Sequence, residues 1–488
     1  MMNANDSKRS NDLVVKISRR VEEFLSDLAN TNPNELDCLE LEKGAVEVVK
    51  ELGLGLMKEV FRRADEAAPE VVVDGAVWGN RKVTPGTYTV KFGTFKIDRS
   101  GYQQSGRGPV LFPLDMRLGL VEGRYSPCMA RLMALTVAQM PAEHGEAYLE
   151  EVGIGCVSSS TLHRIPQDMS AVHERDRTQI EAAVRGEWRS PTGTHTVQVG
   201  MDGFMVPMDG EHAKARGRKT DAPDLPRYER HYGAAVAGPA DSDGKHGAVY
   251  HEASVGTLSF FDAQRKHLGT VYLARMPEYR KESLAADLEM ELQAVVQELP
   301  TVQVALASDG ALTHWEHLEA MQARLPEGTK SRQLLDFYHG AKYLFDAAKL
   351  VEEDEGVAQA LAEGWRSSLR HRKDGPEVVL RALRYQRNIC EKPADREELD
   401  TIVDFFSDHR SNGRLAYKEA ANDGFPIGTG PTEAAAKTMN VRMKRSGARY
   451  DSHGGQTVLT FRAAFLSGRF DTTMREIINR YTADVVAA

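Results

Sequence analysis

The stretch TVQVGMDG, residues 196–203, decides the fold predicted for this chain. Its residues alternate in the pattern of a β-strand that ends at Asp202. A second apolar run, Val302 to Ala307, precedes Asp309 and predicts another strand that also ends at an aspartate. Each aspartate is followed by glycine, and such pairs are common in simple turns. Neither aspartate alone therefore indicates a functional site.

A third acid, Glu433, follows Gly430 and Pro431, which predict the start of a helix. Carboxylates at neighbouring strand ends lie side by side, where their repulsion is costly unless a divalent cation neutralises it. Mg²⁺ prefers a few carboxylates together with water and phosphate oxygens. An acid in a first helical turn also complements the helix dipole without any further role. Taken together in this order, the three acids predict a metal-dependent site for phosphoryl transfer.

The segments around these acids resemble a known family, the bacterial insertion-sequence transposases of the ISKra type. These are relatives of the Mutator-like transposases and have a ribonuclease-H-like catalytic core. The blocks that carry the resemblance are MDG (201–203), ASDG (307–310), LDFYHGAK (335–342), IGTGPTEAAAK (427–437) and RMKRSG (442–447). The last two blocks are long and unusual, so chance agreement is a poor explanation for them.

The resemblance implies a DNA transposase that cleaves transposon ends and joins them to target DNA. Two Mg²⁺ or Mn²⁺ ions are expected about 4 Å apart, with Asp202 bridging them, Asp309 holding one and Glu433 the other. The expected partner is double-stranded DNA, both element ends and target, held by a homodimer or a larger assembly. Two alternatives stay open: a domesticated, catalytically silent DNA-binding protein, and a metal-dependent nuclease or resolvase of the same fold.

The order of segments predicts an α/β fold, a ribonuclease-H-like mixed sheet flanked by helices. The predicted divisions are an N-terminal helical arm (1–78), a small β-ribbon segment without zinc cysteines (79–125), a helix-turn-helix-like DNA-binding region (126–190), the catalytic core (194–350 and 424–482) and an all-α insertion (351–423). The arm either packs on the body or pairs with a second copy of the chain.

Residues 158–169 predict the second helix of the helix-turn-helix-like region, because a run of Ser and Thr favours a helix start. Side chains that fall near one face of this helix are candidates for DNA contact: Ser160, His163, Arg164 and Gln167. The alternative is an ordinary core helix whose first serines only cap it.

A second group of candidate DNA contacts follows Glu433. From residue 437 to residue 449 the chain has five basic residues and no acid: Lys437, Arg442, Lys444, Arg445 and Arg449. The formal net charge of the chain is −9, which argues against general stickiness to nucleic acids but leaves room for local basic sites. A solvated basic surface is the alternative.

Three further predictions concern single side chains. Asp336 and His339 form an Asp-x-x-His pattern that resembles a feature of Mutator-like transposases, in which the histidine could donate to a phosphate. A helix cap with a satisfied histidine is the alternative. His314 has no matching carboxylate pair on its helix and is predicted to be a surface residue. Trp365 is predicted to lie in a helical core and not to stack on a base.

Composition indicates the surroundings in which the chain works. The four cysteines are isolated and form no Cys-x-x-Cys pair, which predicts reduced thiols without a zinc or disulfide framework. No run of about 18 apolar residues occurs, so no membrane partner is expected. We expect a cytoplasmic, nucleoid-associated protein.

Overall fold

A computed structural model describes residues 4–32, 34, 36–104, 108–154, 157–208, 236–237, 249–445 and 448–488. The chain forms two compact units, Met1–Glu181 with Asp471–Ala488, and Ala182–Phe470. Both contain helices and strands, so the fold class is α/β. Across the part of the chain that is described, no helix is long and apolar enough to cross a membrane.

The elements are numbered in chain order. The helices are α1 (Ala4–Asn30), α2 (Cys38–Ala64), α3 (Pro113–Arg117), α4 (Pro127–Gln139), α5 (Ala142–Glu151), α6 (Ser159–Arg175), α7 (Arg177–Glu187), α8 (Glu282–Glu298), α9 (Leu312–Ala323), α10 (Phe337–Val351), α11 (Glu355–His371), α12 (Gly375–Ile389), α13 (Pro393–Ser411), α14 (Tyr417–Asn422), α15 (Gly430–Met443), α16 (Ser452–Leu466) and α17 (Phe470–Asn479). The strands are β1 (Val71–Val73), β2 (Ala76–Val90), β3 (Gly93–Gln103), β4 (Thr196–Met208), β5 (Val236–Ala237), β6 (Val249–Phe261), β7 (His267–Arg275), β8 (Gln303–Ser308), β9 (Ser331–Leu335) and β10 (Val485–Ala487).

The first unit is built on an antiparallel sheet with strand order β10-β1-β2-β3. Helix α2 packs on it through Phe61, whose ring lies edge-on to Tyr88 and Phe95 at centroid distances of 4.9 and 5.1 Å. Such edge-to-face pairs stabilise a core beyond their buried area. The second helix of the N-terminal arm therefore packs on this unit.

Three consecutive helices of the first unit, α4, α5 and α6, pack against one another. Ser158 caps α6 by accepting from the N–H of Thr161 at 3.4 Å. The helix buries one side and leaves the other to solvent, as the 3.6-residue period of an amphipathic helix requires. Its buried residues are Leu162, Ile165, Pro166, Met169, Ser170 and His173.

The second unit contains a mixed sheet with strand order β7-β6-β4-β8-β9, and β5 pairs with one end of β6. Strand β6 is antiparallel to both of its long neighbours, β4 and β7, whereas β4, β8 and β9 run parallel to one another. Both faces of β4 are buried from Thr196 to Met201, as expected of a central strand. Val197 and Val199 pack with the side chains of α8 and α9, while Gly200 and Asp202 belong to the opposite face.

Only helices occur between α10 and α15, and they share one hydrophobic core with β9 and α10. Trp365 of α11 belongs to this core and is 7% exposed, which confirms the prediction made for it. Phe337 at the start of α10 lies in the same cluster. The helical segment is therefore not an independently packed module.

Candidate active site

Asp202 lies inside β4, the central strand of the second unit. The strand continues to Met208 along β6, whereas its pairing with β8 stops at Gly200 and Ala307. The prediction that this strand ends at Asp202 is wrong, because β6 supports it further than β8 does. Asp202 instead stands at the point where the neighbouring parallel strand ends.

Strand register brings Asp309 level with Asp202. Parallel pairing aligns Gly200 with Ala307, and each aspartate follows two residues later in its own chain segment. Neighbouring strands lie about 4.8 Å apart. The two carboxylates therefore leave the same edge of the sheet from adjacent strands.

The Asp309 carboxylate is held by groups on both sides of it in the chain. Its Oδ1 accepts from Ser308 Oγ at 3.1 Å and from the N–H of Ala311 at 3.3 Å. Gly310 has a φ of +114°, a conformation that strongly favours glycine. The backbone thus turns immediately after Asp309 and folds back to bind its side chain.

His314 is the site residue that sequence reasoning missed. It is 2% exposed, and its Nδ1 lies 3.2 Å from Ser308 Oγ and 3.5 Å from Asp309 Oδ1. The prediction that His314 is a surface residue is wrong. Helix α9 buries His314, Leu318 and Met321 at helical spacing, and this spacing is the sequence signal that points the histidine inward.

Glu433 lies in the first turn of α15, which packs on β4 and β6. The preceding residue, Thr432, is joined to Thr257 of β6 by a hydrogen bond of 2.7 Å between their Oγ1 atoms. A Cβ on Gly200 would lie only 2.2 Å from Thr432 Oγ1. Glycine at this position is therefore what lets the helix approach the face of β4 that carries Asp202.

Electrostatics link the three acids. Burial raises the pKa of Asp202 to about 6. The hydrogen bond from the N–H of Gly203 lowers this pKa, whereas the negative charges of Asp309 and Glu433 raise it. Burial also acts to raise the pKa of Asp309, but the hydrogen bond and the charge of His314 outweigh it and hold that pKa well below its usual range. The site therefore contains one carboxyl that resists ionisation and one that ionises readily.

The donor set suits a hard divalent cation, because carboxylate oxygens are what Mg²⁺ prefers and a cation would relieve their repulsion. Among the described residues, no three His, Cys, Asp or Glu side chains are placed to hold a single ion. An ion held by only two of these acids would need water or substrate oxygens to complete its coordination shell. Asp202 is the member whose pKa both other acids raise.

Asp336 connects the segments that carry the second and third acids. It is 1% exposed, and its Oδ1 accepts from the N–H groups of Tyr338 at 3.1 Å and Thr429 at 3.2 Å. Its own N–H donates to the carbonyl of Ser308 at 2.9 Å. Thr429 occupies the N-cap position of α15, and Ser308 precedes Asp309. Asp336 therefore caps α10, as the alternative interpretation held, and also positions both acids.

His339 lies half-buried on α10, with its ring edge-on to Tyr343 at a centroid distance of 5.3 Å. After the larger effects of burial and of His314, the charge of His339 also lowers the pKa of Asp309. His339 is thus within electrostatic range of the site. Its donation to a phosphate stays a prediction.

Helix α13 packs against the turn that follows Asp309. A Cβ on Gly310 would lie 2.7 Å from Phe405 Cε2 and 3.3 Å from His409 Nε2. Burial and the charge of Arg414 lower the pKa of His409 to about 4, so this ring is neutral at pH 7. The helical segment between α10 and α15 therefore buttresses the second acid.

The candidate DNA contacts on α6 share its solvent side. Ser160, His163 and Arg164 are exposed, and Gln167 is half-buried. Arg164 forms an ion pair with Glu122, and Ser160 Oγ lies 3.0 Å from Ser158 Oγ. The helix presents these residues together, and the first serine caps it as the alternative interpretation held.

Four of the five bases that follow Glu433 in the chain are exposed: Lys437, Lys444, Arg445 and Arg449. Lys437 Nζ lies 3.6 Å from Glu433 Oε2, one helical turn away. Lys444 lies over the ring of Tyr250 at 5.8 Å from its centroid. Exposure leaves these four side chains accessible, and their contact with DNA phosphates stays a prediction.

Arg442 does not fit the predicted role of a DNA contact. It is 4% exposed, and its Nη1 donates to Tyr450 Oη at 2.9 Å. Burial lowers its pKa from the usual value. The residue points inward because α15 packs on the sheet, and a side chain of that face cannot also meet a substrate.

No protein-family model matches the chain, and no curated protein matches its sequence. The resemblance to the ISKra-type transposases rests on the five sequence blocks quoted above. Any functional conclusion therefore depends on those blocks and on the geometry of the second unit.

Proposed function

We propose that this chain is a DNA transposase of the ISKra type with a ribonuclease-H-like catalytic unit. The observation that carries the proposal is the arrangement of Asp202 and Asp309 on neighbouring parallel strands, with Glu433 on a helix over the face of β4 that carries Asp202. The strand order β7-β6-β4-β8-β9, antiparallel and then parallel, supports the predicted mixed sheet. The negative charges of Asp309 and Glu433 raise the pKa of Asp202. Perturbed pKa values of this kind are typical of functional sites.

The proposed reaction has two steps. Water attacks a phosphodiester at the element end, the P–O3′ bond breaks, and a free 3′-hydroxyl leaves. That hydroxyl then attacks a target phosphodiester, forms a new P–O bond and displaces a target 3′-oxygen. Neither step needs a covalent bond to the protein.

The site residues have two kinds of role in the proposed reaction, metal binding and positioning. Asp202, Asp309 and Glu433 would hold divalent cations, which when bound activate the attacking oxygen and stabilise the leaving one. His314 holds the carboxylate of Asp309 in place, and Asp336 fixes the backbone that carries Asp309 and the start of α15. Placement of this kind is what in-line displacement requires, because small errors in the position of the attacking oxygen are costly.

A joining assay tests the proposal. A duplex taken from the DNA that flanks the gene, ending in a free 3′-hydroxyl, is incubated with the purified chain and a supercoiled plasmid. We expect joined products with Mg²⁺ or Mn²⁺ and a rate about 100-fold lower with Ca²⁺, because the larger ion accepts looser geometry. Equal rates in Ca²⁺ would contradict the proposal. Cleavage without joining would favour a nuclease, and binding without either would favour a silent DNA-binding protein.

End recognition by α6 gives a separate test. The N-terminal half of this helix presents Ser160, His163 and Arg164 to solvent on one side, as a helix that enters the major groove must. Arg164→Ala is expected to reduce discrimination between terminal and random duplex by about 1 to 3 kcal/mol. Binding of both duplexes is measured by fluorescence anisotropy, with Glu122→Ala as the control that removes the partner and keeps the arginine. Equal weakening on both duplexes would mean that Arg164 meets only the DNA backbone.

A further inference from the structure

A second basic surface lies on the helical segment between α10 and α15. Residues 365–389 contain seven Lys or Arg and two acids, a net charge of +5 in a chain whose total is −9. Three of these bases are ion-paired, Arg366 with Glu363, Arg372 with Asp374 and Arg387 with Asp400. The other four form no ion pair with any residue that the structure describes: Arg370, Lys373, Arg381 and Arg384.

The exposed side of α12 organises part of this charge. Arg381, Arg384, Tyr385 and Asn388 are all exposed and recur at helical spacing, so they form one row, termed here the basic stripe. The opposite side of the helix packs into the core through Val379, Leu380 and Leu383. Tyr385 is 62% exposed, although a tyrosine ring is usually at least half covered in a folded protein.

We propose that the basic stripe binds the sugar–phosphate backbone of duplex DNA, as a contact separate from both the active site and α6. Arg381 and Arg384 form no ion pair with a described carboxylate, although Arg384 Nη2 donates to Ser407 Oγ at 3.2 Å. Guanidinium groups at helical spacing suit a row of phosphates, and tyrosine and asparagine are common phosphate donors. The inference rests on the proposed function, since a transposase must hold DNA on both sides of the phosphate it cuts. An acidic protein surface would also match the charge, and the experiment below distinguishes it.

The test is the salt dependence of DNA binding by the full-length chain. Anisotropy of a labelled random duplex of about 40 base pairs is measured between 50 and 300 mM NaCl, since each phosphate contact contributes about 0.9 to the slope. The variant carrying Arg381→Gln and Arg384→Gln is expected to lose about two from the slope and about tenfold in affinity at the lowest salt. Arg381→Glu with Arg384→Glu should weaken binding further. The matched control is Arg324→Gln with Lys392→Gln, which removes the same charge from exposed, ion-paired positions.

The outcomes separate this proposal from the proposed function. A slope and affinity like those of the control variant would overturn the stripe as a DNA surface, whatever the joining assay gives. A change in sedimentation without a change in DNA binding would assign the stripe to a protein partner and also overturn it. Conversely, the wild-type chain could join no DNA while the salt slope of DNA binding still falls in the double variant. That result would refute the proposed transposase activity and support DNA binding by the basic stripe. Thermal melting of each variant checks that the exposed substitutions leave the fold intact.

Discussion

We expect Asp202→Asn to reduce cleavage and joining by about a thousandfold or more, the effect of losing a shared cation ligand, and to stabilise the metal-free protein. The second effect follows from the raised pKa. Burial and the charges of Asp309 and Glu433 disfavour the ionised Asp202 of the folded state. Asparagine keeps the shape and removes that charge, so a gain in stability together with loss of activity marks a carboxylate kept for function.

The pH dependence has a definite sign. The pKa of Asp202 rises from 3.8 to about 6 on folding, so the folded state binds this proton more tightly than the unfolded state. The corresponding stability is fully present below pH 3.8 and is lost as pH rises through about 6. In EDTA, the free energies of unfolding of wild type and Asp202→Asn should therefore converge near pH 4 and differ by about 3 kcal/mol at pH 7.

Chemical denaturation across this pH range, followed by fluorescence, measures the difference. Adding Mg²⁺ should narrow it at pH 7, because a cation offsets the same repulsion that the substitution removes. Asp346→Asn, at a half-buried position of α10, serves as a control carboxylate outside the acid cluster. A wild-type protein that is more stable than Asp202→Asn at pH 7 in EDTA would refute the electrostatic account of this site.

The second large effect is expected at His314. His314→Ala should reduce joining by about 10- to 100-fold and raise the Mg²⁺ concentration needed for half-maximal rate, as loss of a group that orients a ligand does. His314→Asn should recover part of the loss, since its amide can still donate toward Asp309. The measurement is the rate of joining against Mg²⁺ concentration for all three proteins.

A structural defect would give a different pattern. If His314 only filled space in the core, both substitutions would lower thermal stability while the Mg²⁺ requirement of the folded fraction stayed the same. Leu318→Ala, at a buried position one turn further along α9, provides that comparison. An unchanged Mg²⁺ requirement in His314→Ala would show that His314 does not orient a metal ligand.

The sequence predicts the parts of the site that depend on local pattern. Strand segments before Asp202 and Asp309 and the helix start before Glu433 are visible in residue order, because turn and capping residues flank them. Their side-by-side placement also follows once the strands are taken as neighbours. The helical core position of Trp365 is predicted for the same reason, since periodicity reports which face is buried.

What the sequence does not predict depends on distant partners. Asp202 lies inside a longer strand because β6 continues beside it. His314 and Arg442 point inward because neighbouring elements cover their faces, and a single histidine or arginine does not reveal that cover. Strand β1 pairs with β10 from the other end of the chain, so the register of Val71 with Ala487 is invisible to local reasoning.

The support of Gly310 by Phe405 and His409 has a consequence for synthesis of the protein. Chains emerge from the ribosome from the N-terminus, and domains fold as units. A nascent chain that has emerged only as far as Asp309 holds two of the acids but neither α13 nor Glu433. The proposed cleavage centre is therefore complete only after most of the second unit has left the ribosome, and a nascent chain that ends before Glu433 lacks one of its three acids.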